Sequence, residues 1–163
     1  MIKKAAMVAW LGMTLSSSLA FAAREEHRFE VSVDIPTLGF YVIPSETDWI
    51  HREQVLPWNV SSKSLGGLRK NFDVKHDTSA IEARLESEPY LSNGHDTQNI
   101  YFRVSFNGVA LSHAALPKQV LSLQQAVAGG RFPLEIQPIP PAGGYRPGTY
   151  HGNVQLIFSA AAP

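Results

Sequence analysis

Apolar side chains in this chain recur at every second position, and helical spacing is almost absent. Phe29, Val31, Val33 and Ile35 alternate with Glu30, Ser32 and Asp34. Ile81, Ala83 and Leu85 alternate with Glu82, Arg84 and Glu86, and Ile100, Phe102, Val104 and Phe106 with Tyr101, Arg103 and Ser105. Phe132, Leu134 and Ile136 alternate around Pro133, and Tyr150, Gly152, Val154, Leu156 and Phe158 share one side of an extended segment. Successive side chains of a strand point to opposite faces, so this period puts the apolar groups on one side of half-buried strands. Turn signals separate the runs. Asn107-Gly108 is a two-residue hairpin signal, because both residues tolerate positive φ. Ser92-Asn93-Gly94, Leu65-Gly66-Gly67-Leu68 and Pro140-Pro141-Ala142-Gly143-Gly144 read as loops. Weaker strands are expected over 38–42, 55–60 and 72–75, and the one candidate helix, 118–127, fits a strand equally well. Many short strands with almost no helix predict an all-β, two-sheet sandwich.

The first residues lie outside this pattern. Lys3 and Lys4 precede an apolar run from Ala5 to Leu15, three serines, and Ala20-Phe21-Ala22. Basic head, short apolar middle and small-x-small end are the parts of a secretory signal peptide. Ala20 and Ala22 are the small side chains a signal peptidase needs. The apolar run is shorter than the roughly 20 residues of a bilayer span. Cleavage after Ala22 takes 22 residues from 163 and leaves 141, enough for one domain with a real core. Without Lys3 and Lys4 the balance is 12 basic against 14 acidic side chains, a formal charge of −2. No long-range field draws a polyanion, so nucleic acid is not expected as a partner. The chain has no cysteine, which excludes thiol nucleophiles, thiolate metal sites and disulfides.

No catalytic or metal constellation stands out. The six histidines form no His-x-His or His-x-x-x-His pair; Asp73, His76 and Asp77 are the one local cluster and read as a solvated strand edge. No Gly-x-Ser-x-Gly elbow, phosphate loop or dinucleotide fingerprint occurs. Glu82, Glu86 and Glu88 read as solubilising carboxylates rather than an acid–base pair. Trp49, Trp58, Tyr90 and Tyr101 offer a sugar-stacking platform, but aromatics in a sandwich more often fill the core. No enzyme activity, cofactor or metal is expected. The run 29–35, preceded by the polar Arg24-Glu25-Glu26-His27-Arg28, has two readings that periodicity cannot separate. It is either the first strand of its own sandwich or an arm that completes another copy's sheet.

Two stretches resemble the major subunits of the colonisation-factor (CS-type) fimbriae, the class 5 pilins of the alternate chaperone–usher pathway. The first is His27-Arg28-Phe29-Glu30-Val31-Ser32-Val33-Asp34-Ile35-Pro36, similar to that family's alternating N-terminal strand. The second is Pro147-Gly148-Thr149-Tyr150-His151-Gly152-Asn153-Val154-Gln155-Leu156-Ile157-Phe158, similar to its Gly-x-Tyr-x-Gly-x-Val-x-Leu closing strand. The resemblance implies an immunoglobulin-like sandwich that is incomplete and is completed by donor-strand exchange. It divides the chain into a signal peptide (1–22), an N-terminal donor strand (23–36) and a pilin sandwich (37–163). Phe29, Val31, Val33 and Ile35 are then the donor side chains, and Tyr150, Val154, Leu156 and Phe158 one wall of the receiving groove. The implied partners are other copies of the chain, a periplasmic chaperone, an outer-membrane usher and a tip adhesin. The implied location is the cell surface, reached through the periplasm. The alternatives are a minor or tip subunit that binds a carbohydrate receptor, and a free periplasmic β-sandwich binding protein.

Overall fold

The computed structural model describes residues 39–162. The alternating segments at 81–85, 100–106 and 132–136 form strands. β1 is Phe40–Pro44, β2 Trp58–Asn59, β3 Ser64–Leu65, β4 Leu68–His76, β5 Ile81–Leu85, β6 Tyr90–Leu91, β7 Ile100–Phe106, β8 Val109–Ala110, β9 Lys118–Leu121, β10 Gly130–Pro138 and β11 Leu156–Ala160. One short helix, α1, spans Leu123–Ala128. The candidate helix at 118–127 thus splits at Ser122, whose side chain accepts from the Gln125 N–H while the Gln125 side chain accepts from the Ser122 N–H. That capping box starts the helix where β9 ends.

The strands form a two-layer sandwich. The larger sheet runs β1-β4-β10-β7-β6, with β8 also paired to β7; the smaller runs β11-β5-β9, and β2 pairs only with β3. Every ladder among the described residues is antiparallel. Asn107 and Gly108 both have positive φ and form the tight turn from β7 to β8. Pro133 sits in β10 opposite Asn107, just past the end of β7, where its carbonyl accepts from the Asn107 N–H, so its missing N–H falls at the end of that ladder.

The inner faces meet in one core. Phe72 and Val74 of β4, Phe102, Val104 and Phe106 of β7, and Leu134 and Ile136 of β10 pack against Ile81, Ala83 and Leu85 of β5 and Val120 and Leu121 of β9. Phe106 and Phe158 lie edge to face with ring centroids 4.9 Å apart, joining the two sheets. The outer face of the large sheet is polar. Arg131 donates two hydrogen bonds to the Asp73 carboxylate, which also accepts from the Ser45 hydroxyl. Arg69 pairs with Glu135, its partner in the β4–β10 register.

Two expectations need correction. The span 55–60 is not a strand: only Trp58–Asn59 pairs, and the rest is a connection. The span 150–158 is not one strand either. His151 bridges Ser92 beside β6 of the large sheet, and regular pairing with β5 of the small sheet begins at Leu156. The chain therefore crosses from one sheet to the other between 151 and 156. Gly152 pins the crossing, because a Cβ there would overlap the Tyr90 carbonyl oxygen.

Candidate functional site: an apolar cleft beside an open strand edge

The crossing leaves an apolar cleft of about 990 Å³ within the domain. Its floor is the inner face of the large sheet, with Leu68 and Phe72 from β4, Ile100 and Phe102 from β7 and Leu134 and Ile136 from β10. These residues face inward because the pleat that buries Val74, Val104 and Phe106 places every second residue on the same side. One lip is the stretch 49–58 after β1, and the other is the stretch 145–156 leading into β11.

Each lip has its own anchors. Trp49 packs edge to face on Phe72, ring centroids 5.7 Å apart, and Lys70 Nζ stands 5.5 Å from its ring. The Gln54 side-chain amide donates to the Trp49 and Arg52 carbonyls and holds the turn that follows Trp49. Pro57 is held by the Gly66 N–H, which donates to its carbonyl at 2.8 Å. On the other side, the Tyr150 hydroxyl donates to the Arg146 carbonyl, and His151 exchanges two backbone hydrogen bonds with Ser92. The lips touch at two points. Trp58 and Tyr145 meet edge to face at 5.3 Å, and His151 Nδ1 lies 3.7 Å from a Glu53 carboxylate oxygen.

The strand bordering the cleft is an edge. β11 pairs with β5 on one side and has no strand on its other side among the described residues. Exposed edges are normally blunted by charge or proline. β1 ends in Pro44 and β9 begins with Lys118, but Leu156–Ala160 contains neither. A strand edge with free backbone groups and no charged guard, lying beside an apolar cleft, is a place where another strand can add.

The structure distributes the expected site residues as follows. Tyr150, Val154 and Leu156 line the cleft. Phe158 does not; it packs inward against Phe72 and Phe106. Phe29, Val31, Val33 and Ile35, together with Ala20 and Ala22, lie outside the described residues. The floor residues Phe72, Ile100, Phe102, Leu134 and Ile136 were legible as strand positions but not as cleft, and Leu68, expected in a loop, opens β4. Lip residues Trp49 and Leu56 carry no pattern that separates them from ordinary core. The four aromatics of the sugar-platform reading do not come together in the observed pairings. Trp49 and Trp58 belong to the cleft, whereas Tyr90 and Tyr101 pair with each other, ring centroids 5.8 Å apart, across β6 and β7. In the Asp73, His76 and Asp77 cluster each side chain has a partner. Asp73 is held by Arg131 and Ser45, His76 Nδ1 accepts from the Thr78 and Ser79 N–H groups, and Asp77 pairs with Lys75.

Among solved structures, the fold is similar to the CooA pilin subunit from enterotoxigenic Escherichia coli, at a TM-score of 0.51 and 22% identity, covering 64% of this chain and 75% of that one. At that identity the likeness establishes the β-sandwich fold. No curated protein matches the sequence. A family model described as "CS1 type fimbrial major subunit" matches residues 25–159.

Proposed function

The chain belongs to the CS1 type fimbrial major subunit family, and we propose that it builds its fibre by adding its N-terminal strand to the cleft of the next copy. It is a structural pilin, and its place is a surface fimbrium. The observation that carries the assembly reading is the unguarded β11 edge beside the apolar cleft. An added strand takes up the free backbone groups of β11 and turns alternate side chains onto the cleft floor. Phe29, Val31, Val33 and Ile35 have that spacing. Burying each such side chain is worth about 1.5–3 kcal/mol, so four of them favour slow release.

The steps before assembly are those that the signal-like leader and the resemblance to this family imply. The segment 1–22 directs export and is removed at Ala20-Phe21-Ala22, which frees residues 23–36 as the donor arm. A subunit with an open apolar cleft is an aggregation hazard. A periplasmic chaperone covers the cleft first, an outer-membrane usher brings copies together, and a tip adhesin ends the fibre.

Val31→Asp and Ser32→Asp test the reading. In an added strand, alternation would turn Val31 toward the cleft and Ser32 away from it. An unpaired charge in an apolar site costs several kcal/mol, so Val31→Asp should leave an exported, folded subunit that does not polymerise. Ser32→Asp should form fibres. Electron microscopy of cells and thermal melting of the purified chain separate the outcomes. Normal fibres from Val31→Asp would remove the donor role. An unfolded Val31→Asp subunit would return the strand to its own sandwich.

A further inference from the structure

The geometry points to a second contact between neighbouring copies: the 49–60 lip of one copy packs against the pole of the next that carries Phe40. The inference rests on the strand-addition reading above. The lip holds Ile50, Val55, Trp58 and Val60, with Val55 85% and Val60 78% exposed. Of the twelve exposed large hydrophobic residues among those described, these four fall within one short stretch. Scattered apolar side chains are ordinary on a surface, but a cluster marks a contact. Ile50, Val55 and Trp58 also line the cleft, so whatever enters the cleft runs beside them.

Chain length identifies the occupant. Between Ile35, the last apolar residue of the donor run, and Gly39, the first described residue, stand only Pro36, Thr37 and Leu38. The four peptide steps from Ile35 to Gly39 span at most about 14 Å. A strand seated in the cleft therefore holds its own folded body close to the cleft's end. The surface that the tether brings there is the start of β1, where Phe40 packs against His76 with ring centroids 5.4 Å apart.

Direction decides which end. Every ladder among the described residues is antiparallel. A strand added antiparallel to β11 runs toward Leu156 in its own N-to-C direction, so one seated in the cleft carries its Ile35 end past Leu156, between the 145–151 and 49–58 lips. The donor's Phe40 pole thus arrives at the apolar lip. Each surface carries an ion pair, Arg52 with Asp48 on the lip and Lys75 with Asp77 on the pole, so the contact need not bury these charges alone.

The chain has no cysteine, which makes introduced thiols unambiguous. Full-length chains carrying Val55→Cys with Thr78→Cys, or Val60→Cys with Thr78→Cys, are assembled in cells and the fibres treated with a short bismaleimide. Thr78 is exposed and follows Asp77, whose N–H donates to the Gly39 carbonyl at the pole. The expected result is a ladder of covalent dimers and higher multiples on denaturing gels, absent from each single variant. A Val60→Asp chain, altered outside the cleft lining, should still form fibres but release subunits at least about tenfold faster in denaturant. Fibres that give no ladder with either thiol pair overturn the lip contact. So does unchanged release from the Val60→Asp variant. Each pair is also made in a Val31→Asp background. Fibres and a ladder that persist there would show the lip contact to be real and the donor-strand reading to be wrong.

Discussion

Gly152→Ala is the substitution whose cost can be worked most directly from the geometry. A Cβ on residue 152 would overlap the Tyr90 carbonyl oxygen and lie 3.1 Å from both the Tyr90 carbonyl carbon and Leu91 Cδ2. The obstacle is backbone on a strand, so a side-chain rotation cannot relieve it. The 151–153 segment must back away from β6. Its two hydrogen bonds to Ser92, at 2.9 and 3.0 Å, are then lost or stretched. At about 1 kcal/mol net for each bond, the loss is about 2 kcal/mol. The lower chain entropy of alanine in the unfolded state gives back about 0.4–1 kcal/mol. A net loss of about 1–2 kcal/mol should lower the melting temperature by several degrees, at about 2–8 °C per kcal/mol for domains of this general size.

Gly143→Ala is the control. It lies in the same long connection, has no positive φ, and its nearest neighbour is the far end of Arg146 at 4.0 Å. Calorimetric melting of the two purified full-length variants beside the parent chain makes the comparison. Gly143→Ala should melt within about 0.5 kcal/mol of the parent. Gly152→Ala melting with the parent would refute the close-approach argument and leave the crossing between sheets without a steric cause.

Two further outcomes follow from the outer face and the helix. Hydrogen bonds from Arg131 first, and from Ser45 second, hold the Asp73 carboxyl below its ordinary value of 3.8. A lowered carboxyl favours the folded state above its unfolded pKa, and that contribution fades as pH falls through the folded pKa. Asp73→Asn should therefore flatten the loss of thermal stability below about pH 4, which a series of melts from pH 5 to pH 2 would measure; an unchanged acid limb would mean the pair contributes nothing to folding. Ser122→Ala removes the capping box and should cost about 1 kcal/mol in chemical denaturation, with no change in fibre yield.

What could be read from the sequence, and what could not, divides along a physical line. Period-two alternation in 81–85, 100–106 and 132–136 reports which side of a strand is buried, so β5, β7 and β10 were legible with their faces. The Asn107-Gly108 turn was legible because its residues tolerate the backbone geometry it needs. Alternation does not report which sheet a strand joins. The run from Tyr150 to Phe158 keeps its period while its hydrogen-bonding partner changes from Ser92 to β5. Gly152 was the available signal for that change, since a glycine within a strand pattern often marks a close backbone approach. The lip at 49–58 has no period at all. Its residues are placed by Trp49 on Phe72, by the Gln54 amide and by Gly66 on Pro57, contacts that only the folded chain brings together.

The crossing at 151–156 also links the fold to its use. Had the chain continued along β6, the small sheet would lack β11 and the core would lose Phe158 from beside Phe72 and Phe106. Had it joined β5 from Tyr150 onward, Val154 would still face inward, but the lip carrying Tyr145 and His151 would have no anchor on the large sheet. Splitting the run between two sheets does both jobs. It closes the core at Phe158 and opens a cleft upstream of it, bordered by an edge with neither charge nor proline. Such an edge is a liability for a protein that remains alone. Under the proposed strand addition, the same edge would be the site of assembly, and a strand bound there would add to the stability of the subunit that receives it.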